Sequence, residues 1–148
     1  MLSHLPVNHP LRPLYRVLAA LVGGYSLVFG IIGFTRTRDV PPFAQDHLPA
    51  VLGLRVNLAF AVLSIVAGAV LVVCAVIGRN LDHLVNVLGG FGFMVVGLLM
   101  LALLRTDANL LGFTVTTCVT SFAFGTVVLT AGLYGRTGGS GAGAHRRA

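Results

Sequence analysis

The chain has 148 residues, 56% of them hydrophobic and 9% charged, where a soluble domain carries about 25% charged residues; the composition argues against a surface that faces water. Its ten cations are all Arg and its four anions all Asp, giving a net charge of +6 scattered between apolar runs. Without a shared basic face interleaved with aromatic or polar partners, this charge argues against nucleic acid as a partner.

The first apolar run spans residues 14–34. About 20 such residues at 1.5 Å each cross a hydrocarbon core of roughly 30 Å. Arg12 and Arg16 precede the run as they would in a secretory signal peptide, but the run outlasts an h-region and no small-x-small cleavage site follows it. It is therefore read as an uncleaved anchor. A link from Thr35 to about Val56 follows, carrying Pro41, Pro42, Phe43 and Pro49. It is too short for a domain and is expected to hold an interfacial turn. Near its end, Arg55 is the one cation expected at the start of the second helix. Its long stem would snorkel to the outer interface, with an anion, Asp46 or Asp107 as the other partners to consider.

Three more apolar runs follow, at 57–77, 84–104 and 110–134. With their end turns, the expected helices cover about 14–34, 52–77, 82–104 and 109–134 of a transmembrane domain at 1–134. Residues 135–148, GRTGGSGAGAHRRA, read as a disordered, basic cytoplasmic tail able to touch anionic lipid. The runs show no strand-like alternation, which excludes a barrel of short strands. The fold class is all-α, an integral membrane bundle of four antiparallel transmembrane helices.

The short links carry helix signals. Gly78-Arg79-Asn80 offers a Gly stop, then Asn80 as N-cap with Asp82 in the first turn, where the helix dipole favours negative charge. Residues 105–109 do the same work at the other end, and such tight links force neighbouring helices antiparallel. For orientation, the N-terminal, 78–80 and C-terminal segments hold Arg12, Arg16, Arg79, Arg136, Arg146 and Arg147, against Arg36, Arg38, Arg55 and Arg105 on the opposite side. The bias places both termini in the cytoplasm of a cell-membrane protein. Tyr15 and Tyr134 then share the cytoplasmic interface.

Helices in lipid associate through small residues that let their backbones approach. Gly23, Ser26, Gly30 and Gly33 form one such seam at helical spacing, as do Ala61, Ser64 and Gly68. Thr114, Thr117, Ser121, Gly125, Val128 and Gly132 form the seam of the fourth helix. On the third, His83, Asn86, Gly90, Phe93 and Gly97 make a seam that is polar at its cytoplasmic end. These faces are expected to look toward the bundle centre or a partner helix.

The chemistry is sparse. Asp39, Asp46, Asp82 and Asp107 all fall in links or at helix ends, and Glu is absent, which argues against a proton- or sodium-coupled transporter. Asn80, His83 and Asn86, with Gly90 further along the same helix, are the candidate polar and packing site, together with Arg55. The functional reading is a quinone hydrogen bond, a haem ligand or a partner contact. The structural reading, a helix-start cap with an interfacial His and an interhelical Asn, is preferred. Cys74 and Cys118 lie about 5 Å and 24 Å from the cytoplasmic helix ends, too different in depth for a disulfide. No catalytic pair, metal set, nucleotide loop or cofactor motif occurs, so no catalytic, cofactor-binding or metal residue is assigned.

Gly30-Ile31-Ile32-Gly33-Phe34, then Asn80 to Asn86 followed by Gly89-Gly90, then Gly132-Leu133-Tyr134-Gly135-Arg136 are similar to motifs of a family of actinobacterial four-helix membrane proteins, known as a domain of unknown function. The chain resembles that family over nearly its whole length and departs from it around the second helix, where a fuller Asn and His pattern is expected. The resemblance implies a membrane protein of a high-GC, Gram-positive organism and brings no activity. The expected function is a non-enzymatic accessory or scaffolding protein, packing against itself or a larger membrane complex within the lipid bilayer. The alternative is a small oligomeric pore or carrier for an uncharged or anionic solute, with the Thr-rich fourth helix lining its path.

Overall fold

A computed structural model describes residues 10–136. Among them, four helices are long and apolar enough to cross a membrane: α1 (Arg12–Thr37), α2 (Leu58–Ile77), α3 (Arg79–Leu103) and α4 (Val115–Tyr134). The expected tail lies, beyond Arg136, outside the described residues. Two short strands, β1 (Ala50–Val51) and β2 (Leu54–Arg55), interrupt the otherwise helical chain.

The helix boundaries differ from the sequence expectation wherever a turn residue overrides apolarity. α1 starts earlier, at Arg12, because Pro13 fits the first turn, where its missing N–H costs nothing. It also runs past Phe34 to Thr37, whose hydroxyl donates to Gly33 O at 2.8 Å. Residues 52–57, expected in the second helix, instead form a hairpin and its exit. Leu52 (φ 47) and Gly53 (φ 86) make a two-residue turn with both central φ positive, the geometry that matches strand twist. Ala50 pairs with Arg55 and Val51 with Leu54 across it. α2 then starts at Leu58, with Asn57 as N-cap accepting from the Phe60 N–H at 2.9 Å.

Asn80 is not an N-cap. Gly78 turns the chain at φ 66 and ψ −133, and α3 begins at the next residue, so Asn80 lies inside its first turn. α4 starts six residues later than the expected 109. Asn109 and Gly112 (φ 60) shape the link instead, and Thr114 caps the helix by accepting from the Thr117 N–H.

Two helix pairs are tightly packed, α1 with α2 and α3 with α4, whereas α2 meets α3 far less closely. The close approaches sit on the expected small-residue seams. A Cβ on Gly30 would lie 2.7 Å from the Ile65 backbone N, and one on Gly68 2.6 Å from Gly23 O. On the other pair, a Cβ on Gly125 would lie 2.8 Å from Gly90 O, and one on Gly132 2.6 Å from Val87 N. As the numbers rise along α1 and α3 they fall along α2 and α4, so each pair runs antiparallel. The hairpin folds over the end of the α1–α2 pair, burying Val51, Leu54 and Val56 with Phe29 and Ala61. Asn57, fully buried, ties this end together by donating to Ala44 O at 3.1 Å and Leu110 O at 2.9 Å.

Candidate functional site

The expected polar site divides between the two ends of the molecule. Asn80, His83, Asn86 and Gly90 lie on the first half of α3, while Arg55 lies in β2, exposed, beyond the far end of α1. Arg55 sits beside Val56, which packs on Gly33, and Arg12 sits at the α3 start; the 21 residues between Arg12 and Gly33 span roughly 30 Å of helix. Arg55 is therefore removed from the candidate cluster. It was expected at the start of α2, and the positive-φ turn at Leu52-Gly53 is what draws it into a strand instead.

At the α3 start, the side chains serve helix ends. The Arg16 guanidinium donates to Ala75 O and, at 2.6 Å, to Val76 O, carbonyls of the last turn of α2 that have no intrahelical partner. Arg12 donates from Nε to Gly135 O at 3.0 Å just past α4, and from Nη2 to Arg79 O at 3.5 Å. Its Nη2 also stands 3.5 Å from Asp82 Oδ2, with Asp82 almost fully buried. Two cations at the start of α1 thus complement the negative ends of α2 and α4, as the helix dipole favours. Tyr15 and Tyr134 stack at the same end with ring centroids 5.4 Å apart.

Asp82 Oδ1 accepts from the His83 backbone N–H at 2.8 Å. The His83 ring is 2.6 Å from Gly132 O; since a carbonyl only accepts, Nδ1 carries the proton and donates. That bond links α3 to the last turn of α4. Asn86 is 3% exposed, and its Oδ1 has no hydrogen-bond partner among the described residues. Gly90 packs its Cα against the Leu129 backbone so closely that a side chain would overlap it. His83, Asn86 and Gly90 therefore come together along the α3–α4 contact, while Asn80 is exposed beside them. Among the described residues, no group of three or more His, Cys, Asp or Glu is placed to hold a metal ion. Cys74 and Cys118 are buried free thiols.

A second feature lies in the middle of the molecule. Where α2 and α3 stand apart, a cavity of about 330 Å³ is lined from all four helices, most heavily from α2 and α3. Phe29, Phe60, Phe93 and Phe124 supply much of its wall, and among the described residues no Asp, Arg or His lines it. Gly92 keeps the α3 wall low, since a Cβ there would meet nothing within 4 Å. Leu63 and Val70 line the cavity and are also 43% and 46% exposed on the outside of α2. The hollow is thus continuous with the apolar outer surface.

Thr117 and Ser121, the hydroxyls a polar path along α4 would use, are engaged. Thr117 Oγ1 lies 3.1 Å from Thr114 Oγ1, and Ser121 Oγ donates to Phe93 O at 2.6 Å. Ser26 and Ser64 also line the cavity, 5% and 7% exposed, and their hydroxyls have no hydrogen-bond partner among the described residues. Sequence reasoning placed both on packing seams and missed the space in front of them. The signal available was Gly89 and Gly92, which lie off the Asn86-Gly90-Gly97 seam.

No family model, curated protein or solved structure matches the chain in comparison.

Proposed function

We propose that the four helices insert into the cell membrane as one up-down-up-down bundle with both termini in the cytoplasm, and that the chain acts there as a non-enzymatic accessory protein. The observation that carries this is the outer surface. Leu21 (63% exposed), Val66 (55%), Leu88 (62%), Phe91 (61%) and Val119 (61%) give all four helices an apolar exterior, which lipid covers and water does not.

The accessory reading draws on how the polar groups are spent. Arg12, Arg16, Asp82 and His83 bond helix ends, which leaves binding rather than acid-base chemistry as the work of the bundle. The glycine seams are occupied within the chain, so a second copy or a larger complex would dock on the outer faces. Kinship with the actinobacterial four-helix family belongs to the same proposal and rests on the motifs in α1, α3 and α4.

The test is affinity purification of the tagged full chain from its native membrane in mild detergent, with particle mass and mass spectrometry of what co-purifies. A stoichiometric partner is the expected result. A homo-oligomer without a partner is reconstituted in liposomes, where solute flux overturns the accessory reading in favour of a small pore.

A further inference from the structure

We infer that the cavity between α2 and α3 is a binding site for an uncharged lipid, held by the hydroxyls of Ser26 and Ser64. The inference rests on the membrane insertion proposed above, because its ligand arrives from the hydrocarbon.

The other buried hydroxyls among the described residues are matched. Thr37 donates to Gly33 O, Ser121 to Phe93 O, and Thr117 bonds Thr114. Ser26 and Ser64 are equally removed from the outside but have no such partner. A serine in a helix readily bonds the carbonyl one turn back, as Thr120, Thr126 and Thr130 do in α4. Two unpartnered hydroxyls on buried residues that border an apolar space instead, each with a donor and two acceptor positions, define what completes the site. The missing partner is an oxygen on an otherwise apolar molecule.

Charge narrows the class. Among the described residues no ionised side chain lines the cavity, so a phosphate or carboxylate placed there would be an unpaired charge in a low dielectric. The ligand is therefore neutral, with a hydroxyl or carbonyl group beside Ser26 and Ser64 and its apolar part against the phenylalanines. Access is lateral, past Leu63 and Val70 and over the low wall at Gly92. A site of about 330 Å³ is at the small end of ligand pockets. It accommodates the oxygen-bearing end of a lipid, while the remaining chain stays in the bilayer.

The experiment reconstitutes the full chain in phosphatidylcholine vesicles and exposes it to a photoreactive diacylglycerol, with a photoreactive phosphatidic acid of the same chains as the charged control. Labelled peptides are mapped by mass spectrometry. The expected result is diacylglycerol label concentrated on residues 60–71 and 85–96, at least fivefold above phosphatidic acid. Ser26→Ala/Ser64→Ala should lower it about fivefold with the melting temperature unchanged, and Gly92→Leu, which grows a side chain into the cavity, should lower it further. Equal labelling by the two lipids, or label unchanged in the serine double variant, overturns the inference. Carbonate extraction of the same vesicles separates the two proposals: a chain that is stripped off overturns both, whereas an inserted chain labelled evenly over its outer faces overturns only the cavity.

Discussion

Gly90 and Gly92 stand two residues apart on α3 and do opposite work. Gly90 is pressed against the backbone of Leu129 on α4, and Gly92 faces open space. The first removes a side chain so that two helices can touch; the second removes one so that two helices, α2 and α3, can stand apart without filling the gap. Close backbone approach gains van der Waals contact, one of the forces that associate helices in lipid, so the α3–α4 pair is closed. The α2–α3 seam lacks that contact and keeps a cavity. The same residue type thus marks a closed contact and an open one on a single helix, and only its neighbours across the gap tell them apart.

A graded series on α3 is the sharpest way to break this comparison. Gly90→Val should have the largest effect, a loss of more than about 3 kcal/mol, because the atoms it meets are backbone and cannot swing aside. Gly97→Ala should cost about 1 kcal/mol. Its Cβ would lie 3.2 Å from the Ser121 Cβ and 3.3 Å from Cys118 O. Gly92→Ala should fall within about 0.5 kcal/mol of the parent or stabilise it slightly, since the site is empty and alanine is the better helix former. Thermal unfolding in mild detergent ranks the three. A Gly92→Ala variant as damaged as Gly90→Val would mean that α2 and α3 close on each other.

The end of the molecule gives a separable effect, between those of Gly90→Val and Gly97→Ala. Arg12→Ala leaves Asp82 buried with only the His83 N–H, removes a donor from Gly135 O, and should cost about 2 kcal/mol. Because it acts at the helix ends, its effect should add to that of Gly97→Ala rather than couple with it. Double-variant unfolding checks the sum.

Much of this arrangement was legible in the sequence. Length and apolarity located the four helices, and three- and four-residue spacing found Gly23, Gly30, Gly68, Gly90, Gly97, Gly125 and Gly132, each of which the structure buries. Helix starts were less legible, because they depend on φ rather than hydropathy. Apolar Leu52 fits a helix by hydropathy yet adopts a left-handed turn, and Gly78 lets α3 begin before Asn80 can cap it. The polar end was half read. His83 and Asn86 were singled out, but their neighbours Arg12 and Arg16 were treated as flanking charge, although antiparallel helices would bring the start of α1 to the ends of α2 and α4. The cavity was not legible at all. A serine on a seam looks the same in sequence whether a carbonyl or an empty space stands opposite.

The central claim is that the four helices cross the membrane with both termini inside, and cysteine accessibility in intact cells tests it most directly. Asp46, Asp107 and Arg136 are exposed, so Asp46→Cys, Asp107→Cys and Arg136→Cys can each react with a membrane-impermeant maleimide, while the native Cys74 and Cys118 stay buried. The account predicts labelling of positions 46 and 107 from outside, and of position 136 only after permeabilisation. Labelling of all three from outside, or of position 136 alone, would contradict it.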